Sequence, residues 1–215
     1  RAEAFMKRSV DAGKPFYLYH NHSLMHFPME VRPEFKGKST NGNWGDSLLM
    51  LDHDFGSILD YLKELGIEDN TIVVYTTDNG PMTATWPDAG FTPFRGEKNT
   101  GWEGGFRVPA MVKWPGHIQP GTVLNDIFGS NDWFPTLIAA AGEPEIKEKL
   151  LKGYKTSAMT YKVHLDGYNQ LDYLQGKSPS QRQEFFYWSD DGDLLAMRYG
   201  PFPGLAGAAV LPPVR

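Results

Sequence analysis

Apolar residues recur along this chain with two periods. Leu48, Leu51, Phe55, Ile58, Leu59, Leu62 and Leu65 follow steps of three and four, which predicts a core helix beginning at Asp46, its cap, and ending at Gly66. A short helix is predicted over residues 2–11, with Phe5 and Val10 inward and Gly13 as its stop. Another runs over about 132–141, with Asp132 as its cap, Pro135 in its first turn and Gly142 at its end. Ile146 and Leu150 mark one apolar stripe on a charged surface helix. Runs of β-branched and aromatic residues at 15–21 (PFYLYHN), 72–75 (IVVY) and 108–114 (VPAMVKW) predict strands, and QEFFYWS with LLAMRYG predicts a hairpin turning at 190–193. Strands alternating with helices imply an α/β fold: a mainly parallel sheet sandwiched by helices, with a small carboxyl-terminal α+β subdomain. The expected organisation is a main domain over 1–160, a partial subdomain over 161–200, and an atypical tail rich in Pro, Gly and Ala over 201–215.

The strand at 72–75 opens into a glycine-rich segment, residues 79–107, with little periodicity. It is far longer than the ~4–6 residues of an ordinary connection, and long ordered loops usually carry function. Asp78 and Asn79 stand at the strand's carboxyl end, where an α/β sheet places its ligands, and both offer hard oxygen donors suited to Ca²⁺ or Mg²⁺. The same pair before Gly80-Pro81 also makes an ordinary side-chain turn, and these residues alone leave the two readings equal. Lys98 by itself reads as a solvated lysine, Glu103 and Arg107 as a pair that fixes the loop, and Arg95 has no assignable role. His20, His22 and His26 invite a zinc reading that the lack of nearby cysteine disfavours; for His26 the plain reading is a structural loop hydrogen bond. Asp52-His53-Asp54 resembles a relay, but successive helical residues diverge, so it reads as a solvated face with structural contacts.

A formal net charge of −5 argues against nucleic acid as a partner. The chain has no cysteine, which excludes disulfides, thiolate metal sites and a cysteine nucleophile within it. No run approaches the ~18 apolar residues of a membrane span. The first residues lack the plan of a secretory signal, and without an initiating Met they read as a truncated or processed end.

In order along the chain stand PFYLYHNHSLMHFP, LKELGIEDNT, TTDNGP, TPFRGEKNTGWEGGFRVPAMVKWPG and NDWFPTLIAAAG. This ordered set resembles the carboxyl-terminal part of type I sulfatases, the arylsulfatase family of the alkaline-phosphatase superfamily. The resemblance implies an alkaline-phosphatase-like fold and a Ca²⁺ site, with Mg²⁺ as the alternative, to which Asp78 and Asn79 contribute. It also implies that His26 hydrogen-bonds a sulfate oxygen and that Lys98 contacts the sulfate and the leaving-group oxygen. The implied substrate is a small sulfated ester or sulfated carbohydrate, and family habit places such proteins in the periplasm or outside the cell.

Sulfatases of this type carry their nucleophile as formylglycine, made from Cys or Ser in a Cys/Ser-x-Pro-x-Arg motif. The one near-match, Ser178-Pro179-Ser180-Gln181-Arg182, has its proline and arginine at the wrong offsets and lies downstream of the Asp-Asn turn, so it is rejected. The upstream acidic pair and the Lys/His pair of the family are also absent. The expectation is a catalytically incomplete fragment holding half a site, completed by a missing upstream segment, with homo-oligomerisation a further expectation. Two alternatives stay open: a phosphonate monoester or phosphodiester hydrolase of the same superfamily, or a non-enzymatic module that binds sulfated ligands.

Overall fold

A computed structural model of the chain describes residues 1–83 and 89–200; the expected tail at 201–215 lies outside the described residues. The chain divides into two compact units, Arg1–Pro115 and Gly116 onward.

In the first unit, helix α1 (Ala2–Asp11) forms where its periodicity predicts, although Met6 and not Phe5 or Val10 is its buried residue. Gly13 adopts φ +62°, which ends the helix with its N–H on the Val10 carbonyl. The strand expected over 15–21 does not form. Tyr17 and Tyr19 are 70% and 77% exposed, and an extended segment gains its stability from a ladder partner, which no described strand supplies.

Helix α2 (Gly42–Glu64) begins four residues before the expected cap. Asp46 is buried inside it, and its carboxylate accepts backbone N–H groups from Gly37 and Ser39, both at 2.7 Å, so it caps the preceding loop instead of its own helix. Met50 and Leu62 face the core, whereas Leu48 falls off the stripe and is exposed. Strand β1 (Val73–Thr76) pairs antiparallel with β2 (Ala110–Lys113), Val74 opposite Val112 and Tyr75 opposite Met111. Phe55 of α2 packs on Tyr75 with ring centroids 4.6 Å apart, so this helix covers the ribbon as a core helix should.

In the second unit a single 3₁₀ turn (Ser130–Asp132) leads into α4 (Trp133–Ala140), followed by α5 (Ile146–Lys152). Ile146 and Leu150 are buried, as their stripe predicts. Strands β3 (Tyr154–Lys155) and β4 (Thr160–Tyr161) form a minimal ribbon, α6 (Leu171–Leu174) is one turn, and β5 (Glu184–Trp188) with β6 (Leu194–Tyr199) is the expected hairpin. One turn in the first unit, α3 (Glu103–Phe106), belongs to the loop between β1 and β2.

The chain is thus mixed helix and strand, consistent with α/β, but among the described residues every strand pair is antiparallel, in three two-stranded ribbons. A parallel pair requires the chain to cross back over the sheet, typically through a full helix. The segment between β1 and β2 instead folds on itself and returns in the opposite direction.

Asp132 is fully buried and makes no side-chain cap to α4. Its Oδ2 accepts the Gly129 N–H (2.8 Å) and its Oδ1 the Tyr168 N–H (2.7 Å). Arg182 clamps both oxygens, Nε to Oδ2 at 2.9 Å and Nη2 to Oδ1 at 2.7 Å. The expected boundary near residue 160 falls inside this unit, where Asp132 is bonded across it to Arg182.

Candidate functional site

Past β1 the backbone enters a weave built on glycine. The Gly80 N–H donates to Gly105 O (3.0 Å), the Lys98 N–H to Pro81 O (2.9 Å), and the Gly104 N–H to Arg95 O (2.7 Å). A Cβ on Gly80 would lie 1.7 Å from Gly104 O, and one on Gly104 would lie 2.1 Å from Gly96 O. Only hydrogen fits at these crossings. Side chains lock the weave from outside: Glu97 accepts the Thr83 N–H (2.7 Å) and the Thr83 hydroxyl, and Arg95 lies over the Trp102 ring at 3.9 Å. Arg107 lies over Phe94 at 4.1 Å and pairs with Glu103 at 3.5 Å, the loop-fixing contact expected of those two residues.

This weave sets the Asp78-Asn79 turn and the Lys98 segment against each other, joined through Gly80 and Pro81. Asp78 is exposed, and among the described residues its Oδ1 accepts a long bond from the Thr77 hydroxyl at 3.3 Å. Asn79 is half-buried and donates its amide nitrogen to Gly80 O (2.9 Å), which commits Nδ2 and leaves Oδ1 as its donor to a cation. These two oxygens suit a hard cation in kind. In number they do not, since Ca²⁺ takes ~6–8 oxygens and, among the described residues, no three His, Cys, Asp or Glu side chains gather into a metal site.

His26 stands on a different segment. It is exposed, its Nδ1 donates to Phe27 O (3.0 Å), and its ring stacks on Phe27 at 4.7 Å, beside a cis Phe27–Pro28 peptide. None of the described contacts joins it to the Asp78–Lys98 weave. With Nδ1 committed, Nε2 is the nitrogen that can meet an anion, and it donates only in the doubly protonated ring. A cleft of about 510 Å³ follows in the same part of the chain, lined by Met29, Glu30, Val31, Lys36, Asn43 and Asp46.

Two features escaped the sequence reading. His22 uses both ring nitrogens, Nδ1 accepting the Leu24 N–H (3.1 Å) and Nε2 donating to Asp54 Oδ2 (3.2 Å), while His20 meets it edge-on at 5.9 Å. The signal was present in the 52–54 string, where Asp54 does make structural contacts, but its partners could not be named. Glu97 carries no local sequence signal, because the Thr83 groups it accepts lie fourteen residues earlier in the chain. In the rejected Ser178–Arg182 segment, Ser180 donates to Ile127 O (2.6 Å) and Arg182 is held by Asp132, so these side chains serve the fold.

The family model described as Sulfatase matches residues 1–143. The chain is 34% identical to arylsulfatase A of Homo sapiens over 194 residues, covering 88% of this chain and 35% of that protein. It is 32% identical to N-acetylgalactosamine-6-sulfatase of Canis lupus familiaris over 200 residues, covering 92% and 35%. Among solved structures it resembles the PsFucS1 sulfatase of Pseudoalteromonas sp., with a TM-score of 0.79 and 36% identity over 92% of this chain and 37% of that one. The chain therefore spans about a third of the length of these relatives. The ordered motifs, the matching family model and the shared fold together establish that this chain belongs to the sulfatase family.

Proposed function

We propose that this chain contributes part of a site that hydrolyses sulfate esters, and that the 215 residues alone do not turn over substrate. The observation that carries the reading is the bond from the Lys98 N–H to Pro81 O, which holds a cationic side chain's backbone beside the exit turn bearing Asp78 and Asn79. Family membership and the relatives, an arylsulfatase and an N-acetylgalactosamine-6-sulfatase, support the ester class, a small sulfated ester or sulfated carbohydrate.

Asp78 and the Asn79 carbonyl oxygen would hold a divalent cation, Ca²⁺ first and Mg²⁺ as the alternative, with further ligands from water or from residues outside this chain. Such a cation supplies Lewis-acid polarisation of a sulfate oxygen. Lys98 stabilises negative charge on the bridging oxygen as the ester bond breaks, and His26 donates from Nε2 to a sulfate oxygen. No Cys/Ser-x-Pro-x-Arg motif occurs in these residues, so the nucleophile of the reaction comes from elsewhere.

The test assays an aryl sulfate and an aryl phosphate with the purified chain, in Ca²⁺ or in chelator, beside Asp78→Ala, and follows terbium luminescence as a probe of the cation site. The expected result is terbium binding that Asp78→Ala abolishes, without turnover of either ester. Chelator-sensitive turnover lost in Asp78→Ala would show that the chain is catalytically complete. Terbium binding unaffected by Asp78→Ala would remove the cation from this turn. Turnover of the aryl phosphate alone would favour the phosphoester branch of the superfamily.

A further inference from the structure

The segment that carries His26 is tied down at both ends to one carboxylate. Before His26, the His22 Nε2 donates to Asp54 Oδ2 at 3.2 Å. After it, the Arg32 Nη2 donates to Asp54 Oδ1 at 2.6 Å, and His53 Nδ1 approaches the same oxygen at 3.3 Å. Asp54 sits on α2, a helix whose Phe55 packs on β1, so the carboxylate is mounted on the rigid part of its unit. Each tie is reinforced. The His22 Nδ1 accepts the Leu24 N–H, which fixes the ring's tautomer; the Arg32 guanidinium lies over Phe35 at 5.0 Å, and Phe35 meets His53 edge-on at 5.3 Å. Between the ties, Met25 adopts φ +69° immediately before His26.

We propose that Asp54 is the positioning residue for His26: by accepting from His22 and Arg32 at once it closes residues 22–32 into a loop and holds His26 at its crest. This rests on the reading of His26 as a sulfate contact. Asp54 touches no substrate in this scheme; it acts by removing the conformational freedom His26 would otherwise surrender on binding an anion. Of the chain's acidic groups it is suited to this, because a carboxylate offers two oxygens to two donors arriving from opposite ends of one loop.

The experiment uses the full chain labelled with ¹⁵N, with Asp54→Ala, Asp54→Asn, Arg32→Gln and His22→Phe. Backbone order of residues 23–31 is read by relaxation, the His22 tautomer by long-range ¹H–¹⁵N correlation, and anion binding by titrating inorganic sulfate against the His26 ring signals. In the parent chain His22 is expected as a single tautomer protonated on Nε2. Asp54→Ala is expected to lower order across 23–31, mix the His22 tautomers and weaken sulfate at His26 about tenfold, the loss of roughly one charged hydrogen bond. Asp54→Asn, which can still accept, should recover part of each. Unchanged order and unchanged sulfate affinity in Asp54→Ala would overturn the proposal. If that variant does not fold, Arg32→Gln and His22→Phe decide: each must loosen 23–31, and an unaltered loop in either one overturns it. Sulfate that leaves the His26 signals of the parent chain unmoved would instead sink the role of His26, while the order measurements still judge Asp54.

Discussion

Gly80 and Asp78 are two residues apart and should respond to substitution in opposite ways. Gly80→Ala puts a methyl 1.7 Å from a backbone oxygen of Gly104, which cannot rotate away, so the expected loss is about 3 kcal/mol or more, read by urea unfolding. Asp78→Ala removes an exposed carboxylate with one long hydrogen bond and should leave stability within about 0.5 kcal/mol. The chemistry-bearing residues were legible as types at a strand's end; the glycines were legible only as loop composition, because a close approach of backbones far apart in sequence leaves no local pattern. Asp46 shows the same limit. Its sequence position suits a cap, yet the N–H groups it accepts belong to the loop before the helix. Hydrogen bonds from Ser39 and then Gly37 hold its carboxyl below the usual carboxylate range, burial opposing. Since the folded pKa is depressed, the stabilisation is present above the unfolded carboxylate pKa, near 3.8, and is lost as pH falls through the lower folded value. Unfolding followed from neutral pH to about pH 3 should show this loss in the parent chain and a flatter profile in Asp46→Asn.

Among the elements, α4 depends on a partner it does not contain. Arg182→Met leaves the Asp132 carboxylate fully buried without its guanidinium, and the expected cost is ~3–5 kcal/mol in thermal or chemical unfolding. A near-normal stability would mean that Gly129, Tyr168 and Gln170 satisfy the carboxylate unaided. Helices were read well where an apolar stripe meets a core, as in α2 and α5, because burial enforces the period that the sequence displays; in α1 the span was legible but the buried residue, Met6, was not. Their starts were read poorly: α2 begins at Gly42, in a stretch with weak helix propensity that the following turns carry along. The aromatic run at 15–21 had the composition of a strand, but composition does not supply the neighbour that makes one.

For the whole molecule, the junction after Pro115 is an open stretch among the described residues. Residues 116–125 carry no helix or strand and are almost all exposed, Val123 at 77%. Thermolysin under native conditions should therefore cut first near Val123–Leu124 and release two fragments, one from each compact unit, as mass spectrometry would show. The mixed α/β character and the family were readable because the motifs survive in order over most of the chain. The sequence also implied a mainly parallel sheet, whereas the strand pairs among the described residues are antiparallel, because strand direction is decided by which strands become neighbours. The weave between Gly80 and Gly105 also bears on how this chain tolerates change. In a library randomised over 78–105 and screened for folding alone, the survivors should keep hydrogen at positions 80 and 104 and let Asp78 drift. A second screen for cation or sulfate capture would then recover Asp78, Asn79 and Lys98 by difference, separating what the chain needs in order to exist from what it needs in order to act.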